Sequence, residues 1–138
     1  MNKNSPISGI MTKQVIVAHL DNKFSQLMEF FNTWQIQHMP ITLGDQLIGI
    51  VSINDMLAFS YHRLSTGRAV SYAEMDAEFD MKQVMTQNPT SVSPDDTIEE
   101  AFRILGEGKF QSLPVVDNGK LVGIVTNKDL VKNYRALL

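Results

Sequence analysis

The chain has 138 residues, 43% of them hydrophobic, and a formal net charge of −3 at pH 7. This length and apolar content predict a folded chain and not a disordered one, and the acidic balance argues against general attraction to nucleic acid or an anionic membrane. No cysteine is present, which excludes disulfides and cysteine-ligated zinc. The N-terminus lacks an apolar signal core, and no apolar run approaches the roughly 20 residues of a membrane span, so we expect a cytoplasmic protein.

An internal repeat organises the chain. The span from Met11 to Leu57 returns 74 positions later without a gap, and ten of its positions are identical in the two copies. Such self-similarity is the signature of a duplicated structural unit. We place the first copy at 1–60, a linker at 61–80 and the second copy at 81–138.

Both copies predict the element order β-α-β-β-α, which is an α/β fold class. A short β-type run comes first, at Val15 to Val17 and at Thr90 to Val92. An amphipathic helix follows, with apolar residues at i, i+3, i+4 and i+7: Phe24, Leu27, Met28 and Phe31, then Ile98, Ala101, Phe102 and Leu105. Two strands joined by a tight turn come next, and a last helix begins after Ser52 or Thr126.

The starts of the first helices differ between the copies. Thr97 and Glu100 predict a capping box in the second copy. The first copy has Lys23 at the equivalent position, so we expect Asn22 to cap that helix instead.

The linker carries its own pattern. Tyr72, Met75 and Phe79 have helical spacing, which favours a helical extension over residues 73–79. The basic residues His62-Arg63 and Arg68 are placed to meet a phosphate, although a solvated linker is the simpler interpretation.

The motif that carries chemistry is Gly-x-x-Ser/Thr-x-x-Asp, at Gly49 to Asp55 and at Gly123 to Asp129. Glycine at a strand end permits a ligand to approach the backbone closely, and a helix start favours an anion. The aspartate one turn later is placed to accept hydrogen bonds from two hydroxyl groups, as in a ribose. Ser/Thr followed three residues later by an acidic residue is also an ordinary helix cap. The two interpretations are compatible, and the matched duplication favours a ligand role.

These motifs, together with the Met-Thr start and the proline in the strand, resemble a tandem pair of CBS (cystathionine-β-synthase) domains, also called a Bateman module. The resemblance covers residues 7 to 135. It implies two halves related by a pseudo-two-fold axis, with clefts that bind adenosine-containing ligands, and a regulatory module that is not an enzyme.

The resemblance also implies site residues. Adenine would contact the backbone of Ile16 and Thr90 and the segments Ile36-Gln37-His38 and Phe110-Gln111-Ser112. Ribose would bond Asp55 or Asp129, with Ser52 or Thr126 nearby, either from the same repeat as the adenine contacts or from the opposite one. We expect the cleft of Thr126 and Asp129 to bind more tightly.

The expected ligand carries little negative charge. Relatives that bind phosphates tightly often have a basic residue where Gln37 and Gln111 stand, and charge-assisted bonds are about twice as strong as neutral ones. AMP or S-adenosyl-methionine is therefore expected before ADP or ATP, unless nearby basic side chains compensate: Lys13, His38, Lys109 or Lys128.

The expected partners are the adenosine-type ligand, a second copy in a homodimer and a regulated protein of unknown identity. No obligatory cofactor is expected, nor a metal site, because His19, His38 and His62 lack a metal-binding spacing. Trp34 is interpreted as a packing or dimer contact, and the acidic run Asp95-Asp96 with Glu99-Glu100 as a solvated helix start. The alternative function is a ligand-free dimerisation and interaction scaffold with degenerate clefts.

Overall fold

The computed structural model describes residues 1–66 and 71–138, in which helices alternate with short antiparallel strands. The elements in chain order are a 3-10 helix Ile7–Gly9, α1 Phe24–Trp34, β1 His38–Leu43, β2 Gln46–Ser52, α2 Ile53–Leu64, α3 Tyr72–Glu78, α4 Met81–Val84, β3 Thr86–Gln87, α5 Ile98–Gly106, β4 Ser112–Asp117, β5 Lys120–Thr126 and α6 Asn127–Leu137. The α/β class predicted from the sequence is confirmed. Across the described residues, no helix is both long and apolar enough to cross a membrane.

Two compact units divide the chain, each with its own core. The central unit consists of Ile16–Gly44 and Ile48–Pro89, and the terminal unit of Met1–Val15, Asp45–Leu47 and Thr90–Leu138. The Met-Thr start of each sequence copy therefore lies in the unit formed by the other copy. The boundaries proposed at 60 and 81 describe the repeat in the sequence, whereas the units in space are assembled from exchanged segments.

The core of the central unit is rich in methionine. Phe24, Leu27 and Phe31 are buried on the predicted face of α1. Five methionines fill the space around them: Met39, Met56, Met75, Met81 and Met85. Unbranched thioethers adapt to irregular gaps, which suits a core assembled from several short segments.

The segment between the copies belongs to the central unit. The helix predicted from Tyr72, Met75 and Phe79 is confirmed as α3. The ring centroid of Phe79 lies 6.0 Å from that of Phe24 and 5.3 Å from that of Phe59. Aromatic pairs at such distances add to the apolar burial. The predicted phosphate contact at Arg68 lies outside the described residues.

The cap predicted for α1 at Asn22 is wrong. Lys23 is the N-cap residue, and its N–H donates to Gln26 Oε1 at 2.8 Å. The free N–H of Ser25, in the first turn of α1, finds its acceptor in α3. Asp76 accepts hydrogen bonds from the Ser25 N–H at 2.8 Å and from the Ser25 hydroxyl at 2.7 Å. An ammonium side chain cannot accept a hydrogen bond, so a residue 51 positions away supplies the cap.

The terminal unit is completed by the N-terminal segment. Ile7 and Ile10 are buried in a core with the predicted stripe of α5, which includes Ile98 and Leu105. The Ile98 N–H also donates to Ser5 O at 3.0 Å. The N-terminal segment therefore supplies an acceptor for one of the free N–H groups at the start of α5.

Half of the capping box predicted for α5 is present. The Thr97 hydroxyl accepts the Glu100 N–H at 3.2 Å. The Glu100 carboxylate faces the other way and pairs with Arg103, with an Oε1 to Nη2 distance of 2.6 Å.

Candidate functional site

The Gly-x-x-Ser-x-x-Asp motif of the central unit lies where β2 passes into α2. The Ser52 N–H donates to Asp55 Oδ2 at 2.8 Å, and the Asp55 N–H donates to Ser52 Oγ at 3.0 Å. This is a reciprocal capping box, so the cap interpretation holds here. Both side chains are only half-buried, and the carboxylate retains acceptor capacity for a ligand.

The equivalent motif of the terminal unit has the same box and two further hydrogen bonds. Asp129 Oδ2 accepts the Thr126 N–H at 2.9 Å and the Thr126 hydroxyl at 3.2 Å. Asp129 Oδ1 accepts the hydroxyl of Thr12 at 3.2 Å, from the N-terminal segment. The two aspartates therefore occupy equivalent positions with different hydrogen-bond loads.

The segments predicted to contact adenine are tied to the same helix starts. The N–H of Ile53, the first residue of α2, donates to Gln37 O at 2.9 Å, and the N–H of Asn127 in α6 donates to Gln111 O at 3.2 Å. Ser112 is also the register partner of Thr126 in the β4–β5 pair. Within each unit, the segment that contains Gln37 or Gln111 therefore lies beside the helix start that carries Asp55 or Asp129.

The predicted β-type runs are reduced to single bridges: Val92 lies in the second run, whereas the first bridge is at Ala18, one residue beyond the run Val15 to Val17. Ala18 donates to Pro40 O and accepts from the Thr42 N–H, both at 3.0 Å. In a parallel ladder the next bond would join Ile16 O to the N–H of residue 40, and proline has none. The ladder stops at this point, and the backbone of Ile16 makes no hydrogen bond among the described residues.

The terminal unit repeats this interruption. Val92 bridges Val115, with bonds to Pro114 O at 3.0 Å and from the Val116 N–H at 2.8 Å. Continuation would need an N–H at Pro114. Thr90, in the position equivalent to Ile16, is therefore left with backbone groups that no described residue pairs. These are the two residues predicted to face adenine through their backbone.

The glycines of the motif have a different role from the predicted one. A Cβ on Gly49 would lie 2.5 Å from Met85 Sδ and 3.0 Å from Thr86 O, and one on Gly123 would lie 2.6 Å from Met11 Sδ. The space above each glycine is thus filled by a methionine of the same unit. The expectation that these glycines admit a ligand is wrong, because the close approach is made by the Met-Thr segment.

His38 is the titratable side chain of the adenine-side segment. Burial lowers its pKa from the usual 6.5, and the nearby Asp55 carboxylate offsets part of that effect. The lowered pKa favours the neutral ring at pH 7, which argues against His38 as a cationic ligand for a phosphate.

The other predicted contact residues differ in exposure. Gln37, Gln111 and Phe110 are exposed and Ile36 is half-buried, whereas Ser112 is buried in β4. Exposed side chains are available to a ligand without rearrangement, whereas Ser112 is only 7% exposed.

Several residues considered from the sequence have structural partners. Arg63 Nε lies 3.1 Å from Glu78 Oε2, and its guanidinium lies 5.2 Å from the centre of the Phe59 ring. This arginine therefore belongs to the packing of α3 and is not placed for a phosphate. Trp34 is 56% exposed, so it does not pack in the core of its own unit, and its interpretation as a dimer contact stays a prediction.

The acidic run before α5 is also used structurally. Asp96 Oδ2 accepts the Ser93 N–H at 2.8 Å, and Glu99 pairs with Lys3 at 3.7 Å. In the part of the chain that the structure describes, no group of three or more His, Asp or Glu side chains is arranged to hold a metal ion.

Two units with matching capped helix starts and matching interrupted ladders define a tandem α/β repeat protein. The family model of the CBS domain matches residues 7–62 and 81–136. The chain therefore belongs to the CBS domain family and carries two CBS domains, as its motifs predicted.

The proteins that match this chain differ in length, so the chain corresponds to different fractions of them. Inosine-5'-monophosphate dehydrogenase of Korarchaeum cryptofilum is 30% identical over 119 residues, which cover 86% of this chain and 22% of the relative. The chloroplastic CBS domain-containing protein CBSX1 of Arabidopsis thaliana is 30% identical over 159 aligned residues, covering 95% and 67%. The chain spans only 22%, 43% and 42% of the first three curated relatives.

A solved structure is similar to this chain over almost its full length. The crystal structure of CBSX2 in complex with AMP has a TM-score of 0.79 and 25% sequence identity to this chain. The similarity covers 96% of this chain and 97% of that one.

Proposed function

We propose that the chain is a regulatory module, without catalytic activity of its own, that binds an adenosine-containing small molecule in each unit. The observation that carries this proposal is that the backbone groups of Ile16 and Thr90 have no hydrogen-bond partner among the residues that the structure describes. An adenine edge presents both a donor and an acceptor, and the backbone of one residue offers the complementary pair. Pro40 and Pro114 lack the N–H to which the carbonyl oxygens of Ile16 and Thr90 would bond in a continued ladder.

The aspartates supply the second half of the recognition. Asp55 and Asp129 lie at helix starts, held by their capping boxes, and retain acceptor capacity that sugar hydroxyls can use. A preorganised carboxylate loses little side-chain entropy on binding. The capping role and the ribose role thus support each other.

The ligand is expected to carry one phosphate or none. Gln37 and Gln111 are neutral, the lowered pKa of His38 favours its neutral form at pH 7, and Arg63 is paired with Glu78. Lys13, Lys109 and Lys128 are exposed, and exposed cations contribute little net binding energy. AMP, which the similar CBSX2 structure contains, and S-adenosyl-methionine fit this charge better than ADP or ATP.

The regulatory action is expected in trans, through a homodimer. α2 exposes Leu57, Tyr61 and Leu64, and the last turns of the chain expose Val131, Tyr134 and Leu138. Apolar stripes of this kind mark association surfaces. A ligand would regulate a partner protein only if it had different affinities for two conformations of the module.

Calorimetric titration of the full chain tests the proposal. AMP and S-adenosyl-methionine should bind, ATP more weakly, and GMP weakly or not at all because guanine presents a different hydrogen-bonding edge. Absence of heat with every adenosine compound at millimolar concentration, on protein shown to be folded by circular dichroism, would contradict it.

The alternative is a ligand-free interaction scaffold. It is favoured by the heavier occupation of Asp129, whose two oxygens both accept hydrogen bonds from the chain itself. A dimer that binds no adenosine compound would support the scaffold.

A further inference from the structure

The two aspartates differ in how many hydrogen-bond acceptor positions they have left. An ionised carboxylate offers about four lone-pair positions. Asp55 uses one of them, for the Ser52 N–H. Among the described residues, Asp55 Oδ1 accepts no hydrogen bond, so both positions of that oxygen remain for a ligand.

Asp129 is more heavily occupied. Oδ2 accepts two hydrogen bonds from Thr126, and Oδ1 accepts one from the hydroxyl of Thr12. About one position remains on this carboxylate. A ribose donates two hydrogen bonds through its 2′ and 3′ hydroxyls, so Asp129 cannot satisfy both without losing an internal partner.

The difference comes from the two threonines of the Met-Thr segments. Thr12 bridges Ile124 in the terminal unit, and Thr86 pairs with Ile50 in the central unit, which are equivalent positions. Only the Thr12 hydroxyl reaches its aspartate among the described residues. The shared register makes Thr86 a matched control for Thr12.

We propose that Thr12 is the specificity-determining residue of the terminal-unit site. Its hydroxyl occupies the Asp129 oxygen that a second sugar hydroxyl would need. The terminal site therefore discriminates poorly between ribose and 2′-deoxyribose, whereas the central site selects ribose. This inference rests on the proposed function, and it places the tighter ribonucleotide site at Asp55, the reverse of the order expected from the sequence.

The test compares AMP with 2′-deoxy-AMP by calorimetry on proteins with a single site. Asp129→Asn isolates the central site and Asp55→Asn isolates the terminal site. The measured quantity is the Kd for 2′-deoxy-AMP divided by the Kd for AMP. We expect about tenfold or more at the central site, since a hydrogen bond to a charged group is lost, and less than about threefold at the terminal site.

Variants of Thr12 test whether its hydroxyl causes the low ratio expected at the terminal site. In the Asp55→Asn protein, Thr12→Val should raise the ratio to about tenfold, because the isosteric side chain frees Asp129 Oδ1. Thr12→Ser retains a hydroxyl and should keep the low ratio. Thr86→Val in the Asp129→Asn protein should change nothing.

The outcomes separate the two proposals. A ratio unchanged by Thr12→Val, an equal loss of both nucleotides, or a terminal site that stays silent while the central site binds overturns the role of Thr12 alone. If neither single-site protein nor the unmodified chain binds any adenosine compound, the proposed function fails and the role of Thr12 fails with it.

Discussion

The sulfur of Met85 occupies the space where a side chain on Gly49 would project, and Met11 stands in the same relation to Gly123. The Met-Thr start and the glycine of the helix motif, two separate signals in the sequence, are thus the two sides of one contact. Each contact lies within one unit and joins segments from different sequence copies. The glycines are required by packing and not by a ligand.

This contact predicts the effect of adding one methyl group. Gly49→Ala should destabilise the fold by about 1–3 kcal/mol, the usual cost of overpacking. The Met85 thioether can turn away, but the Thr86 carbonyl oxygen, 3.0 Å from the new Cβ, belongs to the backbone. Urea unfolding measures the change, with Gly106→Ala as control, since nothing lies within 4 Å of that position. Equal stability of Gly49→Ala and the unmodified protein would contradict the contact.

The aspartates should show both of their roles. Asp55→Ala is expected to cost about 1 kcal/mol of stability through loss of the cap and to weaken AMP binding at its site about tenfold or more. Thr97→Ala removes a side-chain cap from α5, a helix that carries none of the proposed site residues. Calorimetry at matched folded fraction should therefore show unchanged affinity for Thr97→Ala. If Asp55→Ala and Asp129→Ala behave like this control, the aspartates are helix caps only.

Asp76 should make stability depend on pH in the acid range. Hydrogen bonds from the Ser25 backbone and side chain lower its pKa from the usual 3.8. The folded state therefore holds fewer protons than the unfolded state around that value. The stabilisation is complete above the unfolded pKa and is lost as pH falls through the lower, folded pKa.

Asp76→Asn should reduce the midpoint of urea unfolding at pH 7 and flatten its decline in acid. Asp21→Asn makes the same change in net charge at an exposed position and serves as control. If the midpoint falls equally in acid for Asp76→Asn and the unmodified protein, the hydrogen bonds from Ser25 to Asp76 make no contribution to the pH dependence of stability.

His38 predicts a second pH dependence, nearer neutrality. Its pKa is lowered by burial, so as pH falls below 6.5 the unfolded chain takes up a proton that the folded chain does not. Stability should decline from pH 7 down to the lowered folded pKa and then lose no more through this group. His38→Gln should remove that part of the decline in thermal unfolding, whereas His62→Gln, at an exposed position, should leave it in place. A profile unaltered by His38→Gln would count against the burial of the ring.

The exposed stripes predict how the chain associates. Leu57→Glu and Val131→Glu change equivalent positions on α2 and α6, and Val131 is 77% exposed in the single chain. If these faces are buried in a homodimer, a charge placed there should convert it to monomer in light scattering at micromolar concentration. Leu43→Glu replaces another exposed apolar residue and should leave the dimer intact. A monomeric unmodified protein would remove the homodimer from the proposal.

The strongly periodic features of this chain could be predicted from its sequence alone. The apolar stripes of α1 and α5, the hairpin turn at Asn118-Gly119 and the caps at Ser52 and Thr126 follow from local chemistry. Each depends on residues within one or two turns of each other, so spacing carries the information. The interruption of the two ladders could also be predicted from the sequence, since Pro40 and Pro114 have no N–H to donate.

Contacts between distant segments were decided only by the tertiary structure. Nothing near Ser25 in the sequence indicates that Asp76 would cap α1, and nothing near Asp129 indicates that Thr12 would occupy its second oxygen. The duplication suggested that each copy folds on itself, but the Met-Thr segments are exchanged between the units. A repeat records which residues are equivalent. It does not record which copy of each residue is the spatial partner, because equivalent residues such as Met11 and Met85 are alike in both copies.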